Sequence, residues 1–372
     1  MGWTALASLA PYYPLYALLF LDSGLTDAEV SGLFALWSVT GFVGQVPAGV
    51  LADRWSRRGC LVLAGCLEGV GFALWTALPG LPAFAAGFVV WGLGGALVSG
   101  AAEALVYDGL AAEGAAGAYA RVNGWLWAAE LAVQAPTAAL AAVLFAAGGL
   151  PLVGWTSVVV CGAAALLALR FPEPAHAARE PDDGADRDGP DAARRAGGWW
   201  RALHRPGVLL VVLAMALTGG LDAVEEYFPV MAAGWGVPAG VVPLVVLVVP
   251  LTGAVGAALG GRAGRLPARG LALLLGAGGL LFAGAAVWGR PAALGAVAAG
   301  YGCYLAVLVV AEARLQDRIA SASRATITSV AALGVELTSL LVFAAWAVHG
   351  LLGVAAVVVL TAPVVAMALR RR

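Results

Sequence analysis

The sequence contains no lysine, four cysteines and three histidines, and charged side chains make up only 12% of its 372 residues. A soluble domain usually carries about 25% charged residues. Here 62% of the residues are hydrophobic and the mean hydropathy is +0.90, so in water this chain would expose far too much apolar surface. The net charge of −1 supplies no field to attract nucleic acid. Cys60, Cys66, Cys161 and Cys303 form no Cys-x-x-Cys pair and sit in apolar stretches, which argues against a disulfide framework or a metal site. His176, His204 and His349 are too scattered to make a ligand set. No phosphate-cradling loop, no His-Glu-x-x-His and no Gly-x-Ser-x-Gly is found, so an ATP-driven pump and a membrane-embedded enzyme are disfavoured. No cofactor and no metal are expected. That all 21 basic residues are arginine reads as a GC-rich coding bias, which also accounts for many of the 51 glycines, although small residues suit close helix packing in lipid.

What is present is apolar sequence in blocks. A crossing helix needs about 20 mainly apolar residues. Twelve such stretches occur, near 4–21, 30–52, 60–79, 83–107, 117–146, 150–170, 207–231, 237–260, 269–289, 291–314, 324–347 and 350–369. They predict an all-α polytopic membrane protein with the lipid bilayer as its solvent. The N-terminal stretch lacks a basic n-region and is interrupted by Pro11 and Pro14, so it reads as a retained first span and not as a cleaved signal. Arginine placement sets the orientation. With the N-terminus in the cytoplasm, Arg54, Arg57, Arg58, Arg121, the cluster from Arg170 to Arg205, Arg262, Arg265, Arg269, Arg314, Arg318, Arg324 and Arg370 to Arg372 all fall on the cytoplasmic side, and only Arg290 falls outside. Both termini are then cytoplasmic. One missed span would invert every later loop and destroy this asymmetry.

The expected organisation is a six-span bundle over 1–171, a linker over 172–206 and a second bundle over 207–372. The linker is rich in Pro, Asp, Gly, Ala and Arg, cannot bury enough apolar surface to order itself, and is expected to be mostly disordered. Trp199, Trp200 and Arg201 would anchor its end at the interface. The two bundles carry a trace of duplication. Glu103 lies within Ala-Glu-Ala with Asp108 five residues on, and Glu312 lies within Ala-Glu-Ala with Asp317 five residues on, an offset of 209. At 208, Arg54 and Arg57 fall on Arg262 and Arg265. Parallel repeats of this kind are a known transporter plan.

The loop after the second span reads Gly49-Val50-Leu51-Ala52-Asp53-Arg54-Trp55-Ser56-Arg57-Arg58. It resembles the signature loop of the major facilitator superfamily, and with the span count, the central linker and the half-repeat the likeness covers the whole chain. The resemblance implies two pseudo-symmetric six-helix bundles that rock about a midplane site, and a cytoplasmic latch. Gly49 would allow close helix approach, Asp53 could cap a neighbouring helix N-terminus, and Arg54, Arg57 and Arg58 could clamp Asp108. A plain positive-inside anchor is the alternative. In the second half Gly261 replaces the Asp. Two features depart from the drug/proton antiporters of the family. Phe88 stands where they carry a mid-span Arg before Gly92, and only Pro136, after Gln134 and Ala135, remains of their glycine-rich fifth-span motif.

Ionisable groups at membrane depth cost about 2.5–3.5 kcal/mol each on insertion scales, so each needs a partner, a proton or a task. In the fifth span Asn123, Trp127, Glu130, Gln134 and Thr137 share one helical face. The eleventh has Ser329, Glu336 and Ser339. In the seventh, Asp222, Glu225 and Glu226 are spaced i, i+3, i+4 and share a face; a proton-taking or cation-selecting cluster and a solvated vestibule are equal readings. Glu130, Glu336, Asp222, Glu225 and Glu226 are the proton-coupling candidates. Tyr12, Tyr16, Gln45, Trp127, Gln134, Tyr301 and Tyr304 are candidates to line a substrate pathway, and cavity acids with aromatics would suit cationic or amphiphilic compounds. Glu68 reads as a structural pairing residue. Glu103 and Glu312 are expected to pair with Arg121 and Arg324. The function expected is secondary transport of a small organic molecule, as a monomer in the cytoplasmic membrane, by proton-coupled efflux. Nutrient uptake or a non-transporting sensor or scaffold are the alternatives. Cysteines introduced beside Arg54 and beside Arg324 should react with an impermeant maleimide from the same side of the membrane; labelling from opposite sides would break the twelve-span topology.

Overall fold

In hydrocarbon a backbone N–H or C=O finds no water, so a crossing chain closes its hydrogen bonds within helices. Every regular element among the described residues is accordingly helical. The structure, a computed structural model, describes residues 1–172, 207–318 and 324–370, with the side chains at 116, 120 and 324–326 excepted. Apart from Pro172 the expected linker, including Trp199, Trp200 and Arg201, lies outside the described residues.

Eight of the described helices are long and apolar enough to cross a bilayer: Asp27–Arg54, Arg57–Ala77, Leu81–Ala112, Arg121–Ala168, Val208–Gly234, Ala268–Trp288, Pro291–Arg318 and Ile327–Ala368. Two are too long for one crossing. The 48 residues of Arg121–Ala168 would run about 72 Å as a straight helix, against a core of about 30 Å. Helical torsions fail there at Gly148 and Gly149 (φ +65°), and in the last helix at Gly350 (φ +58°). Only glycine adopts such positive φ readily. A Cβ on Gly353 would strike the carbonyl oxygen of Ala345, an atom about 12 Å away in a straight helix. The chain therefore turns back at Gly350. The fifth and sixth spans derive from one such hairpin, and the eleventh and twelfth from the other.

Other spans are interrupted. The first consists of Gly2–Ala7 and Tyr16–Asp22, with non-helical chain around Pro11 and Pro14. The seventh runs as an α-helix over Val208–Gly219, a 3-10 helix over Gly220–Tyr227 and an α-helix over Phe228–Gly234. The eighth is Val242–Val246, Val248–Ala258 and Gly260–Ala263. The 209-residue offset carries the turn at 11–15 onto 220–224, inside the 3-10 segment. The breaks in the first and seventh spans thus obey the same shift as the Ala-Glu-Ala match.

The chain divides into two compact units, Met1–Arg179 with Val237–Leu247, and Glu180–Gly236 with Val248–Arg372. The start of the eighth span thus belongs with the first unit, where Gly240 faces Phe145. Within the first unit, Gly92 sits where a Cβ would lie 3.1 Å from the Trp37 carbonyl oxygen and 3.2 Å from the Gly41 nitrogen, and Gly71 faces the Gly87 carbonyl at 3.0 Å. In the second unit Gly278 meets the Gly300 carbonyl at 2.9 Å. Tyr12, Tyr16, Phe20, Phe34, Phe72, Trp75, Phe84 and Phe88 form an aromatic core in the first unit. Tyr12 and Tyr16 were expected to line a pathway; they are instead buried in this core, because each ring has far more area to pack than its one hydroxyl can hold toward water.

A Cβ on Gly220 would lie 2.6 Å from the Val335 carbonyl oxygen and 2.7 Å from the Ser339 nitrogen. Gly220→Ala should therefore destabilise the purified protein by about 1–3 kcal/mol through overpacking. Gly276, with nothing near it, should accept Ala with no loss and a gain of up to about 1 kcal/mol. Thermal unfolding of both variants in one detergent checks the contrast.

Candidate functional site

The second unit gathers its acids at the break in the seventh span. Gly219 and Gly220 press that span against the eleventh at Val335 and Thr338, and Ser339 donates to the Gly220 carbonyl at 3.5 Å. Beyond this contact the helix tightens to 3-10. A 3-10 helix has 3.0 residues per turn, so residues i and i+3 eclipse while i+4 rotates away. Asp222 and Glu225 accordingly share a face. Glu226, at i+4, is rotated off that face by the 3-10 pitch and is buried, so the single face expected of an α-helix for all three acids does not form. The tenth span, Leu294–Arg318, supplies the donors. The Tyr301 hydroxyl donates to Asp222 at 2.6 Å and lies 3.4 Å from Glu225, and the Tyr304 hydroxyl lies 3.5 Å from Asp222. Phe228 packs edge-on against Tyr301, and Tyr227 stacks on Trp346 at 4.1 Å. Glu312, on the same helix as the tyrosines, lies within electrostatic reach of Asp222 and Tyr304. It is itself exposed, and the side chain of its expected partner, Arg324, lies outside the described residues.

The first unit holds a cavity of about 320 Å³ lined by Trp3, Thr4, Ala7 and Ser8 of the first span, Leu61, Gly65 and Glu68 of the third, Gly95, Val98 and Ser99 of the fourth, Glu130 of the fifth and Ala164 of the sixth. Trp3 closes one wall by donating its indole N–H to the Ala164 carbonyl at 3.1 Å. Glu68 thus shares the cavity with Glu130, a role that the sequence did not disclose. Of the other fifth-span candidates, Trp127 is 66% exposed on this unit and Gln134 is also exposed, as is Gln45 of the second span. Glu336 is half-buried in the second unit, next in sequence to the Val335 contact.

The model of the Major Facilitator Superfamily matches residues 1–342. The chain belongs to this superfamily. It is a multi-pass membrane protein of a family of transporters. Solved members share the fold of this major facilitator at low identity. A nucleoside transporter, NupG, is 10% identical with a TM-score of 0.71, covering 98% of this chain and 95% of that one. A D-xylose–proton symporter is 14% identical with a TM-score of 0.70 (98% and 95% covered). A bacterial homologue of the human lysosomal transporter Spinster, inward-facing and unoccupied, is 14% identical with a TM-score of 0.69 (98% and 92%). No curated protein sequence matches the chain.

The superfamily's signature loop has a definite geometry here. Arg57 pairs with Asp108, donates to the Ala104 carbonyl at 3.2 Å and lies 3.8 Å from Asp53. Arg58 donates to the Phe171 carbonyl at 3.3 Å, at the end of the sixth span. Arg54 is exposed. Gly49 lies against Gly100 of the fourth span. Ser56 caps the third span, accepting from the Gly59 N–H at 2.7 Å, because its hydroxyl sits at the N-cap itself. The second half does the equivalent work from a different helix. Arg314 donates to the Leu369 carbonyl, and Arg318 to the Ala368 carbonyl at 2.8 Å, so the last carbonyls of the twelfth span are capped by guanidinium groups of the tenth. Among the described residues the salt bridges are those of Arg57 with Asp108 and Asp53. The expected Glu103–Arg121 pair is not one of them: both side chains are exposed, and Glu103 lies near Tyr119, since two solvated charges gain little by pairing. Phe88, at the antiporter arginine position, stacks on Trp91 and is fully buried in the aromatic core.

Removing the Tyr301 hydroxyl deletes the short bond to Asp222, worth about 1.5–3 kcal/mol for a charged acceptor. Tyr301→Phe should lower stability by about that amount and Tyr304→Phe, whose bond is long, by clearly less. Urea unfolding in mixed micelles measures both, and equal losses would contradict the geometry.

Proposed function

We propose that this protein is a secondary active transporter that moves a small organic molecule across the cytoplasmic membrane by alternating access, with proton-coupled efflux as its direction. The observation that carries the reading is the acid–tyrosine cluster at the break in the seventh span. Interrupted spans at corresponding positions of two repeats mark substrate and ion sites in transporters, and here the seventh-span break carries Asp222 and Glu225 beneath two phenol donors. Dividing the two hairpins and counting the interrupted spans supports twelve spans, and arginine placement supports putting both termini and the signature loop in the cytoplasm. The chain acts as a monomer. Two six-span halves, 1–171 and 207–372, are the moving bodies, joined by the linker over 172–206. Arg57, Asp108 and Asp53 serve as the cytoplasmic latch, with Gly49, Arg54 and Arg58 around them.

Coupling is assigned to acids that change charge during the cycle. Glu130 and Glu336, with Asp222, Glu225 and Glu226, take up and release protons, and Trp127, Gln134, Gln45, Tyr301 and Tyr304 contact the substrate. A carboxyl in a poorly solvated site is favoured in its neutral form, and its protonation can switch a packed element between two arrangements. Uptake is the second reading. It is favoured by the D-xylose–proton symporter among the solved structures of this fold and by Phe88 at the antiporter arginine position.

Proteoliposomes with an imposed pH gradient, screened against a library of organic cations and neutral metabolites, test both readings. Gradient-driven flux should fall about tenfold or more in Glu130→Gln and in Glu336→Gln, in line with the cost of an intramembrane charge. Unchanged flux in both variants would remove these residues from coupling. The sign of the gradient that drives accumulation separates export from uptake.

A further inference from the structure

Glu68 and Glu130 lie eleven residues past Arg57 and Tyr119, the first residues of their helices, and so about 16 Å along them. The third and fifth spans run in the same sense, so the two carboxyls stand at one depth and line one cavity. Neither has a hydrogen bond or a salt bridge among the described residues. The nearest titratable neighbour of Glu68 on the sixth span is the thiol of Cys161. No arginine or histidine contributes to the lining; the polar groups on the remaining walls are the hydroxyls of Thr4, Ser8 and Ser99, which accept hydrogen bonds as well as donate them, and the indole of Trp3, which is already engaged with Ala164. The acids are not sharing a proton through a direct bond either, and the space between the walls, about 320 Å³, is the volume of about ten waters. The rest of the lining is Leu61, Val98, Ala7, Ala164 and two glycines.

We propose that this cavity in the N-terminal bundle is a binding site for a small organic cation bearing primary ammonium groups on a short aliphatic stem. Each ammonium has three donors and no acceptor, the complement of a wall that offers carboxylates and hydroxyl oxygens. The methylenes would cover Leu61 and Val98. Two carboxylates facing one low-dielectric space repel each other and each costs solvation; a dication relieves both penalties at once, and a monocation relieves half. The site lies within the first unit and shares Glu130 with the proposed coupling acids, but its ligand is read by binding and not by flux, so the two readings fail separately.

The test is ligand binding to the purified full-length protein, with diaminobutane, butylamine and uncharged butanediol as probes at constant ionic strength and fixed neutral pH. Diaminobutane should raise the melting temperature saturably, butylamine should act more weakly and butanediol not at all. Glu68→Gln and Glu130→Gln should each weaken diaminobutane binding about tenfold or more, the loss of one charge-assisted interaction. Ser99→Leu, which fills the cavity and leaves both acids in place, should also abolish binding and guards against misfolding of the acid variants. A wild-type protein that responds to pH but to neither amine would hold two protonated acids and nothing more, which overturns the proposal. So would a Glu68→Gln variant that binds diaminobutane as the wild type does. Because binding is read directly, a negative result here leaves the flux experiment untouched, and the reverse also holds.

Discussion

Lipid tails are as apolar as leucine, so helices in a bilayer gain nothing from hiding hydrophobic surface from one another. What holds this chain together is close contact, and close contact requires places where no side chain intervenes. Gly71 on Gly87, Gly92 on Trp37 and Gly41, Gly278 on Gly300 and Gly220 on Val335 are such places. Each lets one backbone come within van der Waals distance of the next helix, where many weak dispersion contacts add up. The aromatic rings of the first unit then fill the space between the backbones. The functional groups inherit their positions from this packing. Asp222 meets Tyr301 two residues past the glycine contact of the seventh span with the eleventh, and Glu68 reaches the cavity where Gly94 leaves room for its methylenes.

Much of the architecture could be read from composition and arginine placement, since hydrophobic length and charge asymmetry are properties of sequence alone. The hairpins at Gly148–Gly149 and Gly350 fall near the expected span limits. The interruptions were less legible. Pro11 and Pro14 announced a break in the first span, but Gly220–Tyr227 contains no proline, and nothing in its composition distinguishes a 3-10 turn from an α-helix. That single change of pitch separates Glu226 from Asp222 and Glu225. The internal offset was the one usable signal, because it maps the proline-broken turn onto this segment.

The site residues divide along the same line. Polar spacing along one helix finds residues that share a face, and Asp222 and Glu225 do meet one tyrosine hydroxyl. It cannot say what stands opposite. Tyr12 and Tyr301 look alike in sequence, each an aromatic in an apolar span, yet one is sealed among rings and the other bonds a carboxylate. Glu68 was read only as a pairing residue for the converse reason: it is the lone acid of its span, and only the fold brings it to the cavity that Glu130 lines. Arg314 and Arg318 counted merely as positive charge on a cytoplasmic loop, while their reach to the carbonyls of Leu369 and Ala368 depends on a helix end fifty or more residues away.

The turns at Gly149 and Gly350 have a mechanical side. With no loop between paired helices there is no slack to absorb motion, so a tilt of the eleventh span is handed to the twelfth through a single residue, and a tilt of the fifth reaches the sixth through two. The second helix of each hairpin, which carries few polar groups of its own, is thereby geared to the first, which carries Glu130 or Glu336.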